Sequence, residues 1–365
     1  MIKNLFSSKD KSSDLTDEIK KYLQDHKSTT FPDGLLHSVL DFDVKKESRH
    51  YVVSMCLPFP CQGELENLLA EMVDALDIDL ELSLSLKVNP VRQHQVKGIK
   101  NIIAIASGKG GVGKSTTSVN LAYALMAEGA SVGILDADIY GPSLPTMLNL
   151  KGQRPTSKDG KLMQPLTAEG LSAMSIGFLM GEDDATVWRG PMASTAFTQM
   201  LNETDWPDLD YLIVDMPPGT GDIQLTLAQK IPVAGACIVT TPQDIALDDA
   251  KKGITMFDKV QVPVLGVVEN MSYHICDNCG HQSHLFGVGG ANRISEQFNV
   301  PVLGQLPLNL SIREDGDTGT NCVLQNATGE LAQFYRNIAR SMAATLYYQL
   351  DANSPYTPNI IIKEE

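Results

Sequence analysis

Residues 102–118 read IIAIASGKGGVGKSTTS, and within them Gly108, Lys109, Gly110, Gly111, Val112, Gly113, Lys114 and Ser115 fit the spacing G-x-x-x-x-G-K-[ST]. Glycines at these positions let backbone amides turn toward a phosphate chain without interference from a Cβ. Lys114 is placed to neutralise β- and γ-phosphates, and the Ser115 hydroxyl is a ligand for Mg²⁺. The apolar run Ile102–Ala106 predicts a buried strand before the loop. A helical run from Thr116 to Glu128 predicts a helix after it, whose first amides face the same anion. A glycine-rich turn that matched by accident would lack that strand–loop–helix context. Lys109 is a second lysine inside the loop. One cation already serves the terminal phosphates, so Lys109 either stays local or reaches a neighbour's nucleotide.

Carboxylates recur where such a loop needs them. VGILDADIYGPS (132–143) is an apolar strand ending in Asp136 and Asp138, and YLIVDMPPGTGDIQLTLAQ (211–229) leads four apolar residues into Asp215. Acids at the carboxyl ends of strands sit beside a nucleotide in a parallel sheet. Of Asp136 and Asp138, one suits holding a metal-bound water and the other orienting an attacking water; the plain alternative is an acidic cap or turn ahead of Gly141-Pro142. Asp215 suits the Mg²⁺ shell. Pro217-Pro218-Gly219-Thr220-Gly221-Asp222 makes a stiff turn with flexible glycines. It can present an amide, that of Gly219, to a γ-phosphate and move when the phosphate leaves. Asn270, at the end of VLGVVEN, is by residue type a turn former.

A third chemistry sits at Cys276-Asp277-Asn278-Cys279-Gly280-His281. Two thiolates at C-x-x-C spacing chelate one metal, and Gly280 permits a tight knuckle. A tetrahedral thiolate site takes four ligands, and the chain holds no second C-x-x-C. A two-fold dimer brings two pairs together and completes the set. Soft thiolates suit a bridging [4Fe–4S] cluster and a bridging Zn²⁺ alike. His281 and His284 offer a single-chain Cys2His2 site, but at a spacing much tighter than zinc fingers use. A redox pair of thioredoxin type would open a helix directly after a strand, and this pair lies in a polar loop before a helix near 290. Plain structural cysteines fit such a loop poorly. Cys237, inside GACIVT, reads as core, and Cys322 lies in a loop after Gly319 with no partner in sequence. Cys56 reads as a buried strand residue and Cys61 as a thiol in a capping loop.

The elements that must position these groups follow from periodicity. Apolar runs at 102–106, 131–135, 171–176, 211–214, 234–240, 263–268 and 302–306 alternate with helical patterns near 116–128, 193–203, 222–231, 246–260, 290–298 and 328–350. That alternation predicts an α/β domain with a mostly parallel sheet and helices on both faces. Ahead of it, 14–88 reads α-β-β-α-β, a small α+β domain, after a loose polar stretch over 1–13. A Pro- and Gly-containing stretch, 89–98, reads as the linker; 99–350 is the larger domain and 351–365 a tail. The 365 residues suffice for two domains, and 43% apolar residues can bury a core. A net charge of −15 argues against tight binding to nucleic acid or an anionic membrane. No apolar run reaches the length of a membrane span and no signal peptide is evident, so the cytoplasm is the expected compartment.

K-G-G-V-G-K-S-T resembles the deviant P-loop ATPases, a group that includes ParA, MinD, the nitrogenase iron protein and the Mrp/ApbC cluster carriers. D-x-P-P-G-T-G-D at 215–222 is closer to Mrp/ApbC than to ParA or MinD. The resemblance covers about 98–350 and implies a P-loop NTPase fold, ATP hydrolysis and a homodimer in which Lys109 contacts the nucleotide of the opposite subunit. It implies catalytic roles for Lys109, Lys114 and Asp138, with Asp138 the switch aspartate that positions water and Asp136 nearer the Mg²⁺. ATP then lies on 108–116, with Asn270 reading the adenine edge and Gly219 and Asp222 in the second switch. It selects the iron–sulfur cluster over zinc at Cys276 and Cys279, received from a donor scaffold and passed to apo-proteins. Trp188-Arg189-Gly190-Pro191-Met192 also resembles a family string, without a role that can be read. The small domain is similar to MIP-type iron–sulfur assembly domains, with Cys61 at the place of their loop cysteine. Two rival readings share the P-loop: a ParA/MinD-like positioning ATPase working on DNA or membrane, and a regulatory ATPase stapled by Zn²⁺. The acidic, Pro-containing end of the chain and its net charge argue against the first, and neither nucleic acid nor membrane is expected as a partner.

Overall fold

The computed structural model describes residues 15–47, 50–139, 141–157, 160–179, 190–276 and 278–353. Trp188 and Arg189 lie outside the described residues, as do 1–14 and 354–365. The chain divides into two compact units, Met1–Lys87 and Val88–Glu365.

The first unit contains helices Thr16–Asp25, Leu35–Ser38 and Gln62–Leu76 and strands β1 (Asp41–Glu47), β2 (His50–Leu57) and β3 (Leu80–Leu86). The sheet order is β1-β2-β3, antiparallel between β1 and β2 and parallel between β2 and β3. A parallel pair needs a crossover, and helix Gln62–Leu76 provides it. Tyr51, Val53, Met55 and Leu57 on β2 are buried while the residues between them are half-buried, the period of a strand with one packed face. Cys56 is half-buried on β2, and Cys61 is fully buried as the residue that precedes helix Gln62–Leu76.

The second unit is built on strands β4 (Ile99–Ala106), β5 (Val132–Asp136), β6 (Leu166–Ala168), β7 (Leu171–Ser175), β8 (Leu209–Asp215), β9 (Gly235–Thr240), β10 (Val264–Ile275), β11 (Gln282–Ser283) and β12 (Val302–Pro307). The sheet runs β11-β10-β9-β4-β8-β5-β7-β6, with β12 also paired to β10. All pairings are parallel except β6–β7 and β10–β11. Every residue of β5, β7, β8 and β9 is buried, so these strands read as continuous apolar runs without alternation. The seven apolar runs of the sequence correspond to β4, β5, β7, β8, β9, β10 and β12.

Three features exceed the sequence reading. The short edge strands β6 and β11 and the short helices Leu144–Met147 and Cys322–Gln325 have too few residues to show a period, and helix Leu310–Thr318 buries none of its residues and so has no apolar stripe. β10 runs seven residues past the apolar run that ends at Val268, because its outer half, ENMSYHI, is polar yet paired. The stretch 88–98 falls in the second unit: Val91 N–H donates to Asn101 Oδ1 at 2.8 Å, Asn101 Nδ2 donates to Asn89 O at 3.0 Å, and Arg92 Nη1 donates to Val233 O at 3.2 Å. No helix among the described residues is long and apolar enough to cross a membrane.

The sheet order places the chemistry. β4 lies between β8 and β9, while the next strand in sequence, β5, lies beyond β8. The carboxyl ends of β4, β8 and β5 therefore converge where the strand order reverses, which is where such sheets bind ligands. The loop 107–113, Asp215 and Asp136 leave those three strand ends.

Candidate functional site

Gly113 precedes helix Lys114–Ala127 in a left-handed conformation, φ +84°, which a residue with a Cβ adopts only under strain. A Cβ there would also stand 2.1 Å from Asn270 Nδ2. The loop ahead of the helix thus has no room for a side chain at this point. Its amides and the first turn of the helix form an anion-binding end. Lys109 is half-buried in this loop and forms no salt bridge among the described residues.

Lys114 is buried, and its Nζ lies 2.6 Å from Asp215 Oδ1. Ser115 Oγ donates to Asp215 Oδ2 at 2.6 Å, and Ser118 Oγ donates to Oδ1 at 2.7 Å. Asp215 has no exposed surface, so its charge is balanced by one ammonium and two hydroxyls. Ser118 was not singled out in the sequence. It lies one helical turn beyond Lys114, and that i, i+4 spacing was the available signal.

Asp136 pairs in register with Asp215 across β5 and β8 and is equally buried. Its Oδ1 accepts from the Asp138 N–H at 3.0 Å; its Oδ2 accepts from the Leu144 N–H at 3.2 Å and from Ser175 Oγ at 3.1 Å. Burial, and then the neighbouring Asp215 charge, push the Asp136 carboxyl up to about 7. Asp138 departs from it: half-buried, it lines a cavity of about 730 Å³ with Pro217, Pro218, Gly221, Asp222 and Gln224. The two aspartates, two residues apart, therefore face different surroundings. Gly219 sits at φ +99° and its N–H donates to Ser107 O at 3.0 Å, so the Pro-Pro-Gly turn rests against the residue that begins the phosphate loop.

Asn270 Nδ2 donates to Val112 O at 2.8 Å, and its Oδ1 accepts from the Met271 N–H at 3.0 Å. Its amide is engaged with the phosphate loop. Beyond it, β10 continues into a hairpin with β11 through His274–Ser283 and Ile275–Gln282. Cys276 N–H donates to His281 O at 3.0 Å and Gly280 N–H donates to Cys276 O at 2.8 Å, with Gly280 at φ +69°. The C-x-x-C pair thus occupies the tip of a two-stranded ribbon, with Cys276 half-buried and Cys279 exposed. The polar loop expected around the pair is thus the turn that joins β10 to β11. His284 turns away from that tip: its Nδ1 lies 3.1 Å from Ser272 O. No group of three or more His, Cys, Asp or Glu is arranged to hold a metal among the described residues. Cys237 is core, where burial pushes its thiol up to about 12, and the Cys322 thiol donates to Asn120 Oδ1 at 3.4 Å.

Residues 98–343 match the family described as ParA: NUBPL iron-transfer P-loop NTPase. This chain belongs to that family. Among members of the NUBPL family and their relatives, the chain is 58% identical over 306 residues to the iron-sulfur cluster carrier protein of Escherichia coli K12, covering 81% of this chain and 83% of that protein. It is 50% identical over 362 residues to the carrier of the same description from Haemophilus influenzae, covering 97% of each. It is 51% identical over 257 residues to the iron-sulfur cluster transfer protein NUBPL of Mus musculus, covering 70% of this chain and 80% of that one. Among solved structures, a nucleotide-binding protein from Archaeoglobus fulgidus in complex with ADP aligns with a TM-score of 0.58 at 35% identity, over 66% of this chain and 93% of that one. The cell division ATPase MinD of Pyrococcus furiosus aligns with a TM-score of 0.51 at 21% identity, over 66% of this chain and 98% of that one, which reflects the shared fold. The NUBPL-family P-loop fold is thus the α/β architecture expected from the alternation of runs.

Proposed function

We propose that this chain is an iron–sulfur cluster carrier that binds ATP and passes a cluster, as cargo, to apo-proteins. The observation that carries the reading is the pair of thiols on the hairpin tip. Two sulfurs, one of them exposed, are half of a tetrahedral set. A second copy of the chain, related by a two-fold axis, supplies the other half. Four thiolates suit a [4Fe–4S] cluster, the cargo that the resemblance to Mrp/ApbC carriers implies, and the relatives from E. coli and H. influenzae are named as iron-sulfur cluster carriers.

ATP binds on residues 108–116. Lys114 exchanges its contact with Asp215 for the terminal phosphates, and the loop amides with the helix end hold the rest. The oxygen donors Ser115, Asp215 and Asp136 suit a hard cation: Ser115 Oγ and Asp215 are already in hydrogen-bond contact, and Asp136 lies beside them. Mg²⁺ bound there would neutralise phosphate charge. Asp138, on the cavity beside the Pro-Pro-Gly turn, orients the attacking water, and the Gly219 N–H exchanges Ser107 O for the γ-phosphate. Lys109, without a carboxylate partner among the described residues, reaches across the dimer to the other nucleotide. Hydrolysis or release then changes how two hairpins meet, and with it how firmly the cargo is held. An acidic chain in the cytoplasm, meeting a donor scaffold and apo iron–sulfur proteins, fits this work better than cycling on DNA or membrane.

The test is anaerobic reconstitution with iron and sulfide, followed by visible absorption of the thiolate-to-iron band and by transfer to an apo-acceptor. The wild type is expected to take up one cluster per dimer, and Cys276→Ala and Cys279→Ala to take up none. Material that stays colourless, or holds only zinc, would sink the reading.

A further inference from the structure

The phosphate loop and the thiol hairpin are joined by one short stretch of chain, the outer half of β10. It begins where Asn270 Nδ2 donates to Val112 O and where the Asn270 and Met271 side chains cover Gly113. Met271 is in a left-handed conformation, φ +54°, unusual for a long side chain, and the pairing of β10 with β12 is irregular between Glu269 and Tyr273. The backbone of β10 therefore kinks where it passes the phosphate loop. From Asn270 to Cys276 is about 20 Å of strand at 3.3 Å per residue. Beyond the kink the ribbon is held by Leu308 N–H to Tyr273 O at 2.7 Å, His284 Nδ1 to Ser272 O at 3.1 Å and the hairpin pairs.

Glu269 grips that kink. It is fully buried, its Oε1 accepts from Ser272 Oγ at 2.6 Å and Gln305 Nε2 at 2.8 Å, and its Oε2 accepts from Ala291 N–H at 2.6 Å. Ser272 lies at the root of the ribbon, and Ala291 opens helix Gly290–Phe298, where the chain returns from the thiols. One carboxylate thus holds both ends of the segment that carries Cys276 and Cys279, one residue from the asparagine that touches the phosphate loop. Nothing in the nucleotide chemistry itself uses Glu269.

We propose that Glu269 is a positioning residue that couples nucleotide occupancy of the phosphate loop to the setting of the Cys276/Cys279 turn. Phosphates entering the loop shift Val112 and Gly113, Asn270 and Met271 follow, and Glu269 transmits the change to both strands of the ribbon at once. A loose root would absorb the shift; a clamped one carries it to the tip. This deepens the cargo reading above and rests on it for meaning, but its test reads thiol chemistry in cluster-free protein, so the two stand or fall separately.

The experiment follows maleimide labelling of Cys279 by mass spectrometry in the full chain, reduced and cluster-free, with and without a non-hydrolysable ATP analogue. In the wild type the analogue is expected to change the labelling rate about fivefold or more, the lower end of coupling between linked sites. In Glu269→Gln, and in the milder Ser272→Ala should the first fail to fold by circular dichroism, that change is expected to fall below about twofold with analogue affinity retained. A wild type that labels at one rate in both states overturns the proposal. So do variants that fold, bind the analogue and keep the full nucleotide effect, since shielding by a dimer alone would survive them.

Discussion

Replacing Asp136 with asparagine isolates a charge that the fold holds at a cost. In the folded chain burial, and then Asp215, push the Asp136 carboxyl from 3.8 up to about 7, so the folded state keeps a proton that the unfolded state releases. Between those two values the folded state binds more protons, and stability must fall as pH rises. At a little over 1 kcal/mol per unit of difference, the group removes roughly 2–3 kcal/mol between pH 5 and pH 8, after which the loss is complete. Asparagine cannot titrate. Its amide also sets an N–H against one of the donors on Asp138, Leu144 or Ser175, a pH-independent loss of about 1–3 kcal/mol. The stability of wild type minus Asp136→Asn, measured by urea unfolding in EDTA without nucleotide, should therefore be largest near pH 5, decline toward pH 7 and then level off. A difference that is flat from pH 5 to 8 would show that Asp136 is ionised throughout. Its three hydrogen bonds would then outweigh burial and the neighbouring charge, and the reasoning would be refuted.

Two further perturbations reach the frame around the nucleotide loop. Glu128 is fully buried at the far end of helix Lys114–Ala127 and accepts from Arg336 Nε at 2.6 Å and Arg340 Nη1 at 2.7 Å, both on helix Glu330–Asn353. Glu128→Ala leaves two guanidinium groups unbalanced and should cost about 3–5 kcal/mol in urea unfolding, whereas exchanging the acid and both arginines for apolar residues should restore much of it. Gly113→Ala puts a Cβ 2.1 Å from Asn270 Nδ2 at φ +84°; calorimetric titration with an ATP analogue should show affinity down at least about tenfold, equivalent to 1.4 kcal/mol, the low end of such strain.

The strands were legible because the centre of this sheet is buried on both faces, and burial of that kind writes itself as unbroken apolar runs such as YLIV before Asp215. The phosphate loop was legible because the requirement is local: small residues, then a lysine and a hydroxyl at fixed spacing. What stayed hidden is set by partners far along the chain. Glu269 looks like an ordinary polar residue at a strand end until Ala291 and Gln305 are brought to it, and Glu128 looks like a helix terminus until Arg336 and Arg340 arrive. The outer half of β10 gave no apolar signal, since its pairing is satisfied by main-chain bonds to β11 and β12. For the same reason the polar loop that carries the cysteine pair gives no sign in the sequence that it tips a ribbon. In the first unit, Cys61, read as a thiol in a capping loop, lies just ahead of helix Gln62–Leu76 and is buried, while Cys56, read as a buried strand residue, is half-buried on β2.

The place of β4 has a consequence for how the chain is made. It is the first strand of the large sheet to leave the ribosome, yet its two neighbours are β8 and β9, and Ile99 meets Leu209 only after more than a hundred further residues exist. At a synthesis rate of 5–20 residues per second, this largely buried strand waits roughly 5–20 s with both edges unpaired. The nascent polypeptide is therefore a natural client for chaperones over that interval. Closure of helix Lys114–Ala127 by the two arginines waits for more than 200 residues beyond Glu128, so a message truncated before Arg336 would yield a product marked for proteolysis.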